Sequence, residues 1–494
     1  MEPVLQTSQI RQIEKQARNL DISPSLMEKA GMAIAAHANI MATDKTRQIL
    51  ILAGPGHNGG DAIFAALHLK QRWFNIRIIL FENQKILSNE LSQAREKWLQ
   101  AGGKFEQNLP SNLRPDLIID GLFGIGLNRN LKEDYNKFIK QINNLEANVL
   151  SIDIPSGLNA DTGVVMGAAI KATETITFLA AKPGLFTNFG PDFSGKISIN
   201  PLGIDEINVN HKHGWLLNCN QTISNSIPKR QINSHKGHFG TVRVFGGSQG
   251  MMGASILSGR AALRLGAGKV HIGILGKVCS PDWKQPDLMI DSAQNTVKTI
   301  KPTDILIVGP GLGNSSNALT ILKLCIKSPA KLVLDADGLN MISNEKSLGK
   351  LVRNRQNLTV FTPHPAEAGR LLKQSTFSIQ NDRIEAARTI SQQFKVVCLL
   401  KGAGSIVSNT NGDWYINKSG NPGMATGGMG DVLSGIIGAL LAQNASGINA
   451  TLAACRLHGM AADRLTAKGI GPIGLTASET IDEARIIINE LFLQ

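Results

Sequence analysis

Short apolar runs alternate along this chain with longer stretches in which apolar residues recur every three or four positions. Residues 48–53, QILILA, form one such run, and the AIFAALHLKQRW that follows a glycine turn has helical spacing. Further short runs fall at 76–81, 117–120, 149–154 and 175–179, with helical patterns between the first four. Apolar runs of this length read as strands buried on both faces, because a half-exposed strand would alternate apolar and polar residues. Strands alternating with helices predict an α/β fold: a doubly wound parallel sheet covered by helices on both sides. Between about 205 and 238 the pattern gives way to Asn, His, Ser and Pro. A second alternating series follows at 241–245, 269–274, 304–308, 331–334, 358–361 and 396–400. The boundary is expected near Asn218 to Gln221, giving domains over 1–217 and 222–494.

Composition agrees with two globular domains. The 494 residues exceed what one ordinary core accommodates. The chain is 42% hydrophobic and 18% charged, and no stretch approaches the roughly 20 apolar residues of a membrane helix. Its first residues, MEPVLQTSQIRQIEKQ, lack a basic region followed by an apolar core, so no secretory signal is expected. The five cysteines, Cys219, Cys279, Cys325, Cys398 and Cys455, are far apart and odd in number. They suggest core thiols in a reducing, cytoplasmic compartment rather than disulfides or a metal pair. The net charge of +13 is uneven: 22 Lys and Arg meet 21 Asp and Glu up to Leu217, against 29 and 17 beyond it. A basic second half suits an anionic ligand such as a nucleotide. Its basic residues are scattered and not interleaved with aromatics, so nucleic acid is not an expected partner.

The candidate chemistry lies where strands end. After 48–53 comes Gly54-x-Gly56-x-x-Gly59, a backbone cradle of the kind that holds a dinucleotide, with Glu82 placed as a ribose-binding acid. Asp61 complicates this reading, because a carboxylate at the helix start competes with phosphate for the same N–H groups. A glycine turn capped by Asp61, or an oxygen facing a metal or a hydroxyl, is the alternative. Asn58, Asp120, Asp153 and Ser156 also stand at strand ends, where they suit a cation, a sugar hydroxyl or a structural turn. In the second half, NPGMATGGMGDVLSGIIGALLA opens a helix with four glycines beside Asp431. Free N–H groups there form an anion hole, and Asp431 is placed to take a proton from a hydroxyl attacking phosphate. KGAGSIV, with Lys401 after a strand, TPHPAE, with His364 and Glu367, VGPGLG and FGGSQGMMGASIL are the remaining pieces. The chain has no HExxH, Walker A loop or GxSxG elbow.

Together these motifs resemble a known family. GPGHNGGD, DGLFGIG and DIPSGLNADTG are similar to the epimerase domain of NAD(P)H-hydrate repair enzymes. SHKGHFGTVRVFGGSQGMMGA, GPGLG, LDADGLN, TPHPAE, KGAGSIV and NPGMATGGMGD resemble the ribokinase-like dehydratase domain of the same enzymes, in the same order. The resemblance implies a Rossmann-like domain that interconverts R and S hydrates of NADH or NADPH. It implies a second, ribokinase-like domain that dehydrates the S epimer with ADP or ATP and Mg2+. Carried over by motif, His57, Asn58, Gly59, Gly60 and Asp61 would contact the hydrate, as would Gly124, Ile125, Gly126, Leu127, Asn128, Arg129 and Asn130. Asn58, Asp120 and Ser156 would hold K+, with Asp153 as the acid–base residue. Ala254, Gly313, His364 and Asp431 would bind the hydrate in the second domain. Lys401, Gly402, Ala403, Gly404, Ser405 and Gly430 would bind the adenine nucleotide, and Asp431 would be catalytic. A homo-oligomer is expected on the same basis. The chain departs from the family at His57, where other members often have Asn. It departs again at Asn128-Arg129, where some members carry the basic residue one position earlier. A ribokinase-like small-molecule kinase with a regulatory N-terminal domain is the second reading, and a non-catalytic nucleotide sensor the third.

Overall fold

The computed structural model describes residues 1–18, 24–42, 48–81, 89–110, 112–204, 214–277 and 281–493; Glu82 and Cys279 lie outside them. The chain divides into two compact units, Glu2–Lys212 and His213–Gln494.

The strands of the first unit are β1 (Glu2–Pro3), β2 (Gln48–Ala53), β3 (Asn75–Leu80), β4 (Phe105–Glu106), β5 (Leu117–Gly121), β6 (Asn148–Ile152), β7 (Glu174–Phe178) and β8 (Lys196–Asn200). Seven of them form one sheet in the order β4-β3-β2-β5-β6-β7-β8, every pairing parallel. The central strand explains the unbroken apolar run. Ile49, Ile51 and Ala53 pack on one face with the helices Leu26–Met41 and His57–Lys70. Leu50 and Leu52 pack on the other with Tyr135, Phe138, Ile139 and Ile142 of Glu133–Asn143. These five of the six β2 side chains are fully buried, at about 1.5–3 kcal/mol for each large one. From β2 the chain turns to β3 on one side and later to β5 on the other, so the crevice of this sheet opens beyond β2 and β5.

The second unit holds β9 (Gly214–Leu217), β10 (Thr241–Gly246), β11 (Lys269–Ile274), β12 (Met289–Ser292), β13 (Ile305–Val308), β14 (Lys331–Leu334), β15 (Thr359–Phe361), β16 (Val397–Leu400), β17 (Ser405–Ser408) and β18 (Trp414–Asn417). They run in the order β9-β18-β17-β16-β15-β14-β13-β10-β11-β12, parallel from β16 through β12. β17 and β18 add an antiparallel hairpin that apolar periodicity does not reveal. β9 pairs in parallel with β18, which draws Gly214–Leu217 into the second unit, a few residues ahead of the expected 217/222 boundary. The helix Met429–Ala442 lies against Met252–Arg264 and the sheet, with Val432, Leu433, Ile436, Ile437, Leu440 and Leu441 all buried. Its seat requires glycine: a Cβ at Gly435 would stand 2.3 Å from the Ser258 carbonyl oxygen, and one at Gly438 2.6 Å from Ile307 Cδ1. Among the described residues, no helix is long and apolar enough to cross a membrane.

Candidate functional sites

In the first unit the loops after β2, β5 and β6 meet. The turn after β2 is close-packed: a Cβ at Gly54 would lie 1.8 Å from the Leu122 carbonyl oxygen, and one at Gly59 1.9 Å from the Gly54 carbonyl oxygen. Asn58 enters the crevice from the helix His57–Lys70 and donates from Nδ2 to the carbonyls of Phe123 at 3.1 Å and Ile152 at 2.8 Å. Its Oδ1 sits 2.3 Å from where a Cβ of Gly124 would be, so Gly124 is required beside it.

Asp120, at the end of β5, is fully buried. Oδ1 accepts from Ser156 Oγ at 2.6 Å, and Oδ2 accepts from Ser156 N and Ser151 Oγ, both at 2.9 Å. Burial raises its pKa while these hydrogen bonds oppose the rise. No basic side chain bonds this carboxylate among the described residues. Asp153 follows β6 with φ of +67°, a left-handed conformation, and its N–H is held by the Ile176 carbonyl at 2.7 Å. The buried Lys182 pairs with it directly. Asp61 is buried near the same crevice, and burial first, then the charge of Asp153, push its pKa well up. Thus Asn58, Gly59, Gly60, Asp61, Asp120, Gly124, Asp153 and Ser156 stand at one end of the sheet. Gly126, Asn128, Arg129 and Asn130 are exposed on its loops, and His57 is exposed at the start of its helix.

In the second unit the acids and the lysine cluster at the carboxyl ends of β13 to β16. Lys401, just past β16, bonds Asp335 Oδ1 at 2.7 Å. Asp335 caps its own helix and is 1% exposed. Burial disfavours the Lys401 ammonium, but Asp335, Glu367 and Asp431 hold its pKa above the usual value. Gly430 lies against this pair: a Cβ there would be 3.1 Å from Lys401 Nζ and 3.6 Å from Asp335 Oδ2. One residue on, Asp431 has its pKa pushed up to about 7 by burial and then by the charge of Asp335, with Lys401 opposing. Gly428 opens the Asp431 helix at φ of +91°.

The flanking loops converge on the same end. Gly313 N–H donates to Asp337 Oδ2 at 2.8 Å, and a Cβ at Gly311 would touch Ala254 at 3.3 Å. His364 caps the helix Pro365–Leu372, where Ala366 N–H donates to its Nδ1 and Glu367 Oε2 accepts from its own N–H. Burial, then Lys401 and Arg370, lower the His364 pKa. A Cβ at Gly250, Gly253 or Gly427 would meet nothing within 4 Å, so these glycines face open space.

Lys182 and Arg383 fall in no motif of the sequence, and Asp335 stands in LDADGLN without a role assigned to it there. Arg383 is buried, and its Nη2 donates to the carbonyls of Lys401 at 3.3 Å and Gly404 at 3.5 Å, shaping the Lys401 to Ser405 turn. Lys182 follows a strand by four residues, the one signal available for it in the sequence.

Comparison with known proteins bears on both units. The family described as YjeF-related protein N-terminus matches residues 23–184, and the family described as NAD(P)H-hydrate dehydratase matches residues 242–484. The bifunctional NAD(P)H-hydrate repair enzyme Nnr of Escherichia coli is 36% identical over 468 residues, covering 94% of this chain and 89% of that one. Its counterpart from Coxiella burnetii is 34% identical over 503 residues, covering 99% and 100%. A ribokinase-like superfamily protein of Enterococcus faecalis superposes with a TM-score of 0.50 at 24% identity, over 58% of this chain and 99% of that one. That last likeness speaks for the ribokinase-like fold alone. With both family regions present in order and relatives matched over nearly their whole length, the chain belongs to the bifunctional NAD(P)H-hydrate repair enzymes.

Proposed function

We propose that the first unit interconverts R and S hydrates of NADH and NADPH, and that the second returns the S epimer to NAD(P)H with ADP or ATP. The observation that carries the reading is Asp431. Its carboxyl, with a pKa near 7, stands beside the Lys401–Asp335 pair at a glycine-opened helix start. A carboxylate of that pKa accepts a proton efficiently near neutral pH. In this scheme Asp431 takes the proton of the added hydroxyl as its oxygen attacks the terminal phosphorus of the nucleotide. AMP leaves from ADP, and loss of phosphate and a ring proton then restores the dihydronicotinamide. Lys401 and the Gly402 to Ser405 turn would face the phosphates, the nucleotide entering as its Mg2+ complex. Ala254, Gly313 and His364 would contact the hydrate.

In the first unit Asp153 would be the acid–base residue, with residues 57–61 and 124–130 around the hydrate. Asn58, Asp120 and Ser156 suit K+. Ser156 Oγ bonds the buried Asp120 carboxylate, which no basic side chain bonds among the described residues, and neutral oxygens beside a single negative charge fit a monovalent ion. Potassium there would supply the missing positive charge.

The test is to incubate the full chain with hydrated NADH and each nucleotide, following restored NADH absorbance and released phosphate. NADH and phosphate should rise together. A stable phosphorylated product with no NADH recovery would favour a small-molecule kinase and overturn the repair reading.

A further inference from the structure

Lys182 follows β7 by four residues, and its ammonium is completely buried. A lysine is found in that position only when every N–H and the charge are met. Here they are: Nζ bonds Asp153 Oδ1, Thr177 Oγ1 at 2.9 Å and the Phe178 carbonyl at 2.6 Å. Three donors have three acceptors.

The Asp153 carboxylate is bonded unevenly. Oδ1 accepts from Lys182, from Thr177 Oγ1 at 3.1 Å and from Phe178 N at 3.2 Å. Among the described residues Oδ2 accepts nothing, although the side chain is 10% exposed. Thr177 ties the arrangement together, accepting from Lys182 and donating to Asp153. The backbone beneath it is also pinned, in a conformation that L-residues other than Asn and Asp seldom adopt. One oxygen is locked and the other is left at the crevice.

We propose that Lys182 is a positioning residue for epimerisation, clamping Oδ1 of Asp153 so that Oδ2 is the oxygen that exchanges a proton with the hydrate. This rests on the reading of Asp153 as the acid–base residue. Lys182 itself does not touch the substrate. Its effect therefore falls on turnover and not on hydrate affinity.

The experiment uses the full chain without nucleotide, so that conversion of R to S hydrate is followed alone by chromatography. Lys182→Met, close in volume but neutral, is expected to lower kcat about 10²-fold with KM within about twofold. Thr177→Val keeps the charge and volume and is expected to lower kcat several-fold, again with little change in KM. Lys182→Met decides where its near-UV circular dichroism matches the parent; where it does not fold, Thr177→Val decides. Parental kcat in the deciding variant, or a loss carried by KM alone, overturns the proposal. Asp153→Asn separates the two levels. If it still epimerises at the parental rate, the assignment of Asp153 itself is wrong. If it is inactive while the deciding variant is normal, only the positioning role falls.

Discussion

Asp153 in the first unit, buried, and Asp431 in the second, half-buried, both stand at the carboxyl end of a parallel sheet, each with a lysine in its site. The lysines are used in opposite ways. Lys182 bonds Asp153 itself, and a hydroxyl and a backbone N–H reinforce the same oxygen. Lys401 bonds Asp335 instead, and Asp431 receives no side-chain hydrogen bond among the described residues. Placing the ammonium one acid away leaves Asp431 desolvated and facing a second carboxylate, which raises its pKa to about 7. Residue type therefore does not assign an acid–base role. Where the nearest cation is spent sets the electrostatic surroundings in which each acid would work.

The comparison can be broken most directly at the two acids. Asp431→Asn should lower nucleotide-dependent recovery of NADH by about 10²–10⁴-fold and leave epimerisation intact. Near-parental recovery would remove Asp431 from the chemistry. Given equal R and S hydrate with excess nucleotide, the parent should restore nearly all of it in one course. Asp153→Asn should repair the S half quickly and then slow to the uncatalysed epimerisation rate. A single fast phase would make Asp153 a turn residue.

A smaller and sharper effect is expected from pH. Asp431 must be ionised to accept a proton, and it is protonated below its pKa. With that pKa at about 7, kcat/KM for dehydration should be level above it and fall about tenfold per pH unit below. A profile flat down to pH 5 would contradict the raised value. The smallest effect belongs to Lys401→Met. Lys401 opposes the rise at Asp431, so removing it should move the acid limb to higher pH, besides weakening nucleotide binding. A limb that moves down would reverse the assigned electrostatics.

Part of the fold is legible in the sequence. The apolar runs at 48–53, 241–245 and 331–334 coincide with β2, β10 and β14, because strands buried on both faces are mostly apolar; the one buried charge in β10, Arg243, is paired with Asp304. The glycine turn after β2 was readable because close backbone approach at Gly54 and Gly59 admits only glycine. The hairpin β17–β18 was not legible. Its first strand, SIVS, sets only two apolar residues between serines, with no run to mark it.

What the sequence determined by itself is local: which segments are buried strands, where glycine turns end them, and which acids and lysines follow. Those properties depend on neighbours a few positions apart, and period and composition record them. What only the tertiary structure decided is pairing. Lys182 meets Asp153 across 29 residues and Lys401 meets Asp335 across 66, through strands that are adjacent or nearly so in the sheet and distant in the chain. Electrostatic energy depends on distance in space and on burial, neither of which has a period along a sequence. The charge state that each site can hold is therefore set by the fold.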